Sequence, residues 1–465
     1  MSKEITETIF YSHFNSETTS LSALRPHETL PVEILAEIFL HCVEGSFVLP
    51  LERGDRFERR RQLPWALGRV CSRWKHVMLN EPRLWNRVRI PHSSLSLQEC
   101  KTNHYVNMTE LLFSRSGQLP LIYSTSLIGF EPHKEANPLP NLLIPYANRF
   151  REISVQSSYF WLRSILHLSS GLFENLERLT LAFHIHYFND NTITTISLND
   201  AFSASCRLQY LRLEARHDTI LFDPSSMYMS CGQLKDVIFQ GLLVSPAKGL
   251  RFLEHHINLI ECTLDLDHNV TQLATGRQVI LSQLKSLTLR IENNNFSAVL
   301  ASLTLPSLQK LAVETHGLGT WWAQDELLGM LERSSCQLEL FHTTLYIQAE
   351  NLITLLEGMV TIKTFSVPSS TIPDAMMVAM ARNELAPSLG ALYCIIGSVN
   401  LFLNLVEARW AQSHTDASSF FGLRAATVYF RNTRNAITSS PAWVRYQTLQ
   451  PTFFQQGRDI VLTAR

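Results

Sequence analysis

The chain has 465 residues, 45% hydrophobic and 17% charged, with 40 basic residues against 41 acidic ones and a formal net charge of -1 at pH 7. That length and balance describe a folded protein with room for several domains or for a repeat array, and they exclude a mainly disordered chain. No global field is left to attract nucleic acid or an anionic membrane, so neither is expected as a partner.

The eight cysteines, Cys42, Cys71, Cys100, Cys206, Cys231, Cys262, Cys336 and Cys394, form no C-x-x-C pair and no dense framework. That spacing fits a reducing compartment, the cytoplasm or the nucleus or both. The segment from Met1 to Ser22 carries Glu4, Glu7 and Glu17 and lacks a basic region followed by an apolar core, so it is not read as a secretory signal. Residues 1–27 show no sustained apolar period and are expected to be a flexible tail. The sequons at Asn107, Asn269 and Asn295 then carry no consequence.

A helix is expected to start at Pro31, because proline fits a first helical turn where its missing N–H has no intrahelical partner; Thr29 or Leu30 would cap it. Ile34, Leu35, Ile38, Phe39 and Cys42 follow at helical spacing and give an apolar face wide enough to need burial on two sides. The mixed-charge run Glu52–Arg61 reads as a solvated loop, its interleaved acids arguing against a nucleic-acid patch. Pro64 opens a second expected helix, in which Leu67, Val70, Cys71, Trp74, Val77 and Met78 share a face until Pro82 ends it. Leu84 and Trp85 come next and read as exposed.

Beyond residue 145 a block of the form apolar-x-x-apolar-x-apolar recurs, beginning at Phe150, Leu176, Leu208, Leu234 and Leu259. Six further blocks begin at Leu284, Leu308, Leu338, Ile362, Leu389 and Leu423. Their mean spacing of about 27 residues lies within the roughly 20 to 29 of leucine-rich repeats. In each block the last two apolar positions alternate in a strand toward one side, while the first anchors the turn entering it. Asp325–Glu332, Glu350–Met359, Asp374–Leu385 and Val399–Gln412 suit helices that return the chain to the next parallel strand. One such unit cannot bury its own apolar side, and stacked units bury a continuous core beneath an extended concave sheet. A doubly wound α/β enzyme shows a similar alternation, and the Asn or Cys of the usual leucine-rich consensus is missing.

The uncharged stretch Leu385–Val406 has the length of a membrane span, but Pro387, Gly390, Gly397, Asn400 and Asn404 favour a strand, a turn and an amphipathic helix. No phosphate loop, dinucleotide-binding turn, nucleophile elbow or H-E-x-x-H helix is present, so no catalytic residue, cofactor or metal is expected. His184-x-His186 lacks a third ligand nearby in sequence, and His255-His256 and His268 near Asp265 and Asp267 are no stronger. Trp321 and Trp322 read as core aromatics in preference to a ligand platform.

Leu30-Pro-Val-Glu-Ile-Leu-Ala-Glu-Ile-Phe39 resembles the opening of an F-box, Leu-Pro-x-Glu-Ile-Leu-x-x-Ile-Phe. Val70-Cys-Ser-Arg-Trp-Lys75 is similar to the family's Val-Cys-x-x-Trp-Arg/Lys helix, and Glu81-Pro-Arg-Leu-Trp85 to the Pro-x-Leu-Trp after it. The later blocks resemble, more loosely, the repeat domains of fungal, mushroom-type F-box proteins. The resemblance implies an α+β protein: a small all-α F-box module at 28–90, a connector at 91–145, and at 146–465 an α/β leucine-rich-repeat-like solenoid with parallel strands on its concave face. It implies that Leu30, Pro31, Ile34, Ile38 and Phe39, joined by Val70, Cys71 and Trp74, form the surface that binds a Skp-type adaptor. Leu35 is expected to pack inside the module instead. The function implied is a non-catalytic substrate receptor of a Skp-cullin-F-box ubiquitin ligase, its repeat domain presenting an unidentified protein target. The alternative is an F-box-like scaffold working outside a ligase.

Overall fold

The computed structural model describes residues 30–43, 47–48, 63–90, 99–127, 137–169, 171–184, 202, 205–215, 220–224, 233–267, 278–291, 296–315, 322–415, 423–430, 440–455 and 458–464. The tail 1–27, the charge run 52–61, His186, His268, Asn269, Asn295 and Trp321 lie outside them.

Three short helices come first: α1 (Val32–Cys42), α2 (Leu63–Leu67) and α3 (Ser72–Asn80). The strands are β1 (Phe47–Val48), β2 (Arg87–Ile90), β3 (Leu121–Ser126), β4 (Phe150–Ser158), β5 (Arg178–His184), β6 (Tyr210–Ala215), β7 (Ile220–Phe222), β8 (Asp236–Val244) and β9 (Glu261–Leu266). They continue as β10 (Val279–Ile280), β11 (Ser286–Ile291), β12 (Leu303–Thr304), β13 (Lys310–Thr315), β14 (Leu340–Thr343), β15 (Thr364–Ile372), β16 (Ala391–Ile396), β17 (Ala425–Phe430) and β18 (Asp459–Ala464). The fold is mixed α/β, built, among the described residues, on one 16-stranded sheet whose strands follow one another almost in chain order, with β10 and β12 paired separately. Every pairing in both sheets is parallel.

All eleven apolar blocks lead into or lie on strands, from Phe150 in β4 to Val428 in β17. Their central positions are in register: Ile153 lies beside Leu179, Leu179 beside Leu211, and Leu211 beside Val237. The same row continues through Leu287 and Leu311 to Phe341, Phe365, Leu392 and Ala426. These side chains are buried, and the block-opening residues Leu176, Leu208, Leu234 and Leu259 are buried with them. Burying a leucine stabilises by roughly 1.5–3 kcal/mol, so the row is the main store of folding energy. A backbone ladder holds the register: the Glu177 N–H donates to the Arg151 carbonyl, Gln209 to Glu177, and Lys235 to Gln209.

Helices cover this inward face. Those expected at 325–332, 350–359, 374–385 and 399–412 occur as Gln324–Ser334, Ala349–Glu357, Asp374–Ala381 and Val399–Thr415, and their buried residues join the same core. The uncharged stretch 385–406 divides into a turn, β16 and the start of the last of these helices. Among the described residues no helix is long and apolar enough to cross a membrane. Trp322 packs on the core, 5.9 Å from the Phe341 ring.

Three expectations are corrected. The segment 28–90, expected to be all-α, contributes β1 and β2 to the sheet, and the supposed connector 91–145 contains β3, which pairs with β2 on one side and β4 on the other, so the sheet begins well before residue 146. Its strand Leu121–Ser126 has the same alternation of inward Leu121, Tyr123 and Thr125, but not the full block pattern. The second helix is two, α2 and α3, separated by a turn at 68–70 that lets α3 fold back; a Cβ at Gly68 would come within 2.5 Å of the Met78 methyl. Leu84 and Trp85 are buried, because the Trp85 indole N–H reaches the Met78 carbonyl at 3.0 Å.

Arg409 fixes the far end of the sheet's helical cover. Its buried guanidinium donates to the carbonyls of Met380, Leu385, Ala386 and Pro387, closing the end of helix 374–381 and the turn into β16. These acceptors are carbonyls rather than carboxylates, and burial lowers its pKa to about 10. Replacing Arg409 by methionine removes four hydrogen bonds; the Met380 and Ala386 carbonyls keep the backbone N–H groups of Asn383 and Leu389, whereas those of Leu385 and Pro387 lose the guanidinium donor. The expected loss is about 3 kcal/mol, with Arg409→Lys intermediate, measured as a shift in urea unfolding followed by circular dichroism.

Candidate functional site

The N-terminal helices place exposed and fully buried apolar residues side by side. The N-cap of α1 is Pro31, with φ −54° and ψ 150°, rather than Leu30; Thr29 lies outside the described residues. Its apolar residues divide by helical spacing. Leu35, Ala36 and Phe39 turn inward and are buried, whereas Ile34 and Ile38, one turn apart, are 48% and 38% exposed.

The inward set packs on α3. The Phe39 ring lies 5.0 Å from that of Trp74, tilted by 56°. Cys71 caps α3, its Sγ accepting the Trp74 N–H at 3.4 Å. That cap places Trp74 against Phe39 and leaves Val70, just before it, 54% exposed.

Polar clamps hold the arrangement. The Arg73 guanidinium donates to the Leu30 carbonyl, tying the chain ahead of α1 to α3. Arg83 reaches back 2.8 Å to Glu37 on α1 while holding Glu81 at 2.7 Å. Hydrogen bonding from Arg83 lowers the Glu81 carboxyl below its ordinary pKa, and the same pairing raises that of Arg83. Arg115, at the end of helix Glu99–Arg115, stands 5.2 Å and 5.3 Å over the rings of Trp65 and Trp85. Burial there lowers its pKa, and the stack joins α2 to the chain entering β3.

Of the eight residues expected on the adaptor surface, Pro31, Ile34, Ile38 and Val70 are exposed, and Leu30, Cys71 and Trp74 are half-buried. Phe39 is the correction: it is 0% exposed, because the i, i+4 partner it shares the helix with is Leu35, and both face α3. Leu35 is buried as expected. Val32, 46% exposed at the first turn of α1, was not in the expected set, since the residue before a periodic run carries no spacing signal.

Elsewhere, among the described residues, no three His, Cys, Asp or Glu side chains are placed to hold a metal ion. His256 is buried, its Nδ1–H donating to the Phe252 carbonyl at 2.8 Å, and burial lowers its pKa. The Cys262 thiol, in the buried row of β9, is pushed up to about 12 by burial and that of Cys394 is raised also, which suits packing rather than nucleophilic chemistry. No protein-family model and no curated protein sequence matches the chain.

The division on α1 has a direct stability signature. Phe39→Ala is expected to cost about 3–5 kcal/mol through the cavity left against Trp74, whereas Ile34→Ala should change stability by less than about 1 kcal/mol. Thermal unfolding of the two variants beside the unaltered chain distinguishes them.

Proposed function

We propose that the chain is a non-catalytic receptor of a Skp-cullin-F-box ubiquitin ligase, with residues 30–90 as an F-box that docks a Skp-type adaptor and the parallel-strand array as a leucine-rich-repeat-like solenoid that presents a target. The observation that carries this reading is the exposed apolar stripe of Ile34 and Ile38 on α1, with Val70 exposed just before α3, on a module whose own core, Leu35, Phe39, Val77 and Met78, is already filled. Three large aliphatic side chains left in water beside a closed core are a surface for another protein, and burial of such anchors dominates interface energetics. The clamps from Arg73 to Leu30 and from Arg83 to Glu37 support it, since they hold the stripe in one shape before any partner arrives. The sheet supports the second half, because stacked strands offer one continuous face that no helix among the described residues covers.

The mechanism is proximity. A target held on the array next to a ubiquitin-loaded enzyme meets it at high effective concentration, with no proton or electron moved by this chain.

Calorimetric titration with a recombinant Skp-type adaptor tests the docking surface. Ile34→Asp combined with Ile38→Asp should weaken binding on the order of 100-fold with the circular dichroism spectrum unchanged, as both side chains are exposed. Equal binding by the variant overturns the surface. Recovery of the adaptor without a cullin from native cells would favour a scaffold working outside a ligase.

A further inference from the structure

The face of the sheet opposite the helices is not uniform. From β4 to β13 each strand of the main path presents a charged side chain outward, starting with Glu152, Arg178, Arg212 and Asp236 and continuing to Glu261, Arg290 and Lys310. Much of this half neutralises itself. Arg212 holds Glu214 at 2.9 Å, and Arg290 lies 2.7 Å from Glu314 and 3.7 Å from the buried Asp265. Arg178 lies 4.0 Å from Glu152 and covers the Tyr210 ring at 5.3 Å.

The next four strands differ. The outward positions of β14 to β17 carry no Asp, Glu, Lys or Arg: Leu340 and His342, Thr364 and Ser366, then Ala391 and Tyr393, then Ala425, Thr427 and Tyr429. Within this strip His342 Nδ1 and the Ser366 hydroxyl are 2.8 Å apart, a polar pair already satisfied. Tyr393 and Tyr429 are half-buried on adjacent strands, Tyr429 beside Ile395. At the rim, Lys363 is paired with Glu339 at 2.6 Å.

Covering the charged half would strip water from charged side chains already paired with one another, a cost a partner recovers only with matched charges of its own. The strip from β14 to β17 sheds water at little cost and offers tyrosine rings, aliphatic carbon and hydroxyls, the composition of an interface centre. Three interstrand gaps of roughly 4.8 Å make it about 14 Å across, the length of an extended segment of about four or five residues.

We infer that the target is read on this strip, around Tyr393 and Tyr429, and that the segment recognised is a short, uncharged, apolar one rather than a phosphorylated or otherwise charged sequence. The inference rests on the reading of the array as the target-binding part. The complementarity is one of charge: a phosphate or carboxylate laid on β14–β17 would lose its hydration and meet no cation on the strand face.

A random-peptide display library selected on the full chain supplies the probe, and the enriched peptides are then measured by fluorescence anisotropy. Uncharged sequences are expected, with affinity changed little between about 0.05 and 0.5 M salt. Tyr393→Ala with Tyr429→Ala should weaken them at least tenfold, while Arg212→Ala with Lys310→Ala leaves them unchanged, and a phosphoserine placed within the peptide should abolish binding. Enrichment of acidic or basic peptides that depend on Arg212 and Lys310 overturns the inference and leaves the array as a target reader. Peptides insensitive to both pairs, or none enriched, overturn it along with that role of the array. Adaptor titration of the tyrosine variant, expected unchanged, keeps either failure separate from that of the docking surface.

Discussion

The in-register stacking of inward side chains along the sheet is the constraint from which the rest follows. A strand such as Leu211–Leu213 buries its two leucines only because Leu179 and Leu181 lie beside them on one flank and Val237 and Phe239 on the other. No unit is stable by itself, and none is free to slip, since a shift by one residue would carry Arg212 into the core and both leucines into water. The backbone ladder through Arg151, Glu177, Gln209 and Lys235 enforces the same spacing with hydrogen bonds. Variation is tolerated at a single rung if the volume remains apolar, which is why Cys262 and Ala426 stand where leucine stands elsewhere.

The N-terminal helices obey a different economy. Helix α1 commits Leu35, Ala36 and Phe39 to its own core and leaves Val32, Ile34 and Ile38 in solvent, an arrangement with no stabilising return for the isolated chain. Its meaning lies in what it prepares. Arg73, Arg83 and the Trp65–Arg115–Trp85 stack together fasten α1, α2 and α3 to one another and to the chain entering β3. Ile34 and Ile38 of the proposed adaptor surface and the whole proposed target surface thus lie on packed elements, which suits partners that must be held at set positions.

Much of this was legible because it rests on local repetition. Eleven spaced blocks became strands, and four intervening segments became helices within a few residues of their expected bounds. The misreadings share a cause. Val70 to Met78 keeps helical spacing straight through a break, because α2 ends and α3 begins nearly in phase, and the turn at 68–70 is set by the packing of Met78 over Gly68. Phe39 and Ile38 are adjacent and equally apolar, and only the location of Trp74 decides which is sealed and which is left out. The sheet's early start was hidden because β2 and β3 are joined by a long helical segment that dilutes the block pattern.

The order of apolar residues along the chain thus determined, without reference to any fold, that short parallel strands would alternate with helices and that two greasy helical segments would precede them; periodicity of 2 or 3.6 is a local property. Which side of α1 meets α3, where the sheet begins, and how charge is distributed between the two halves of its open face were decided by tertiary structure alone. Those features depend on residues distant in sequence, such as Glu37 with Arg83 or Arg290 with Glu314, coming within a few ångströms, and no local pattern records such meetings.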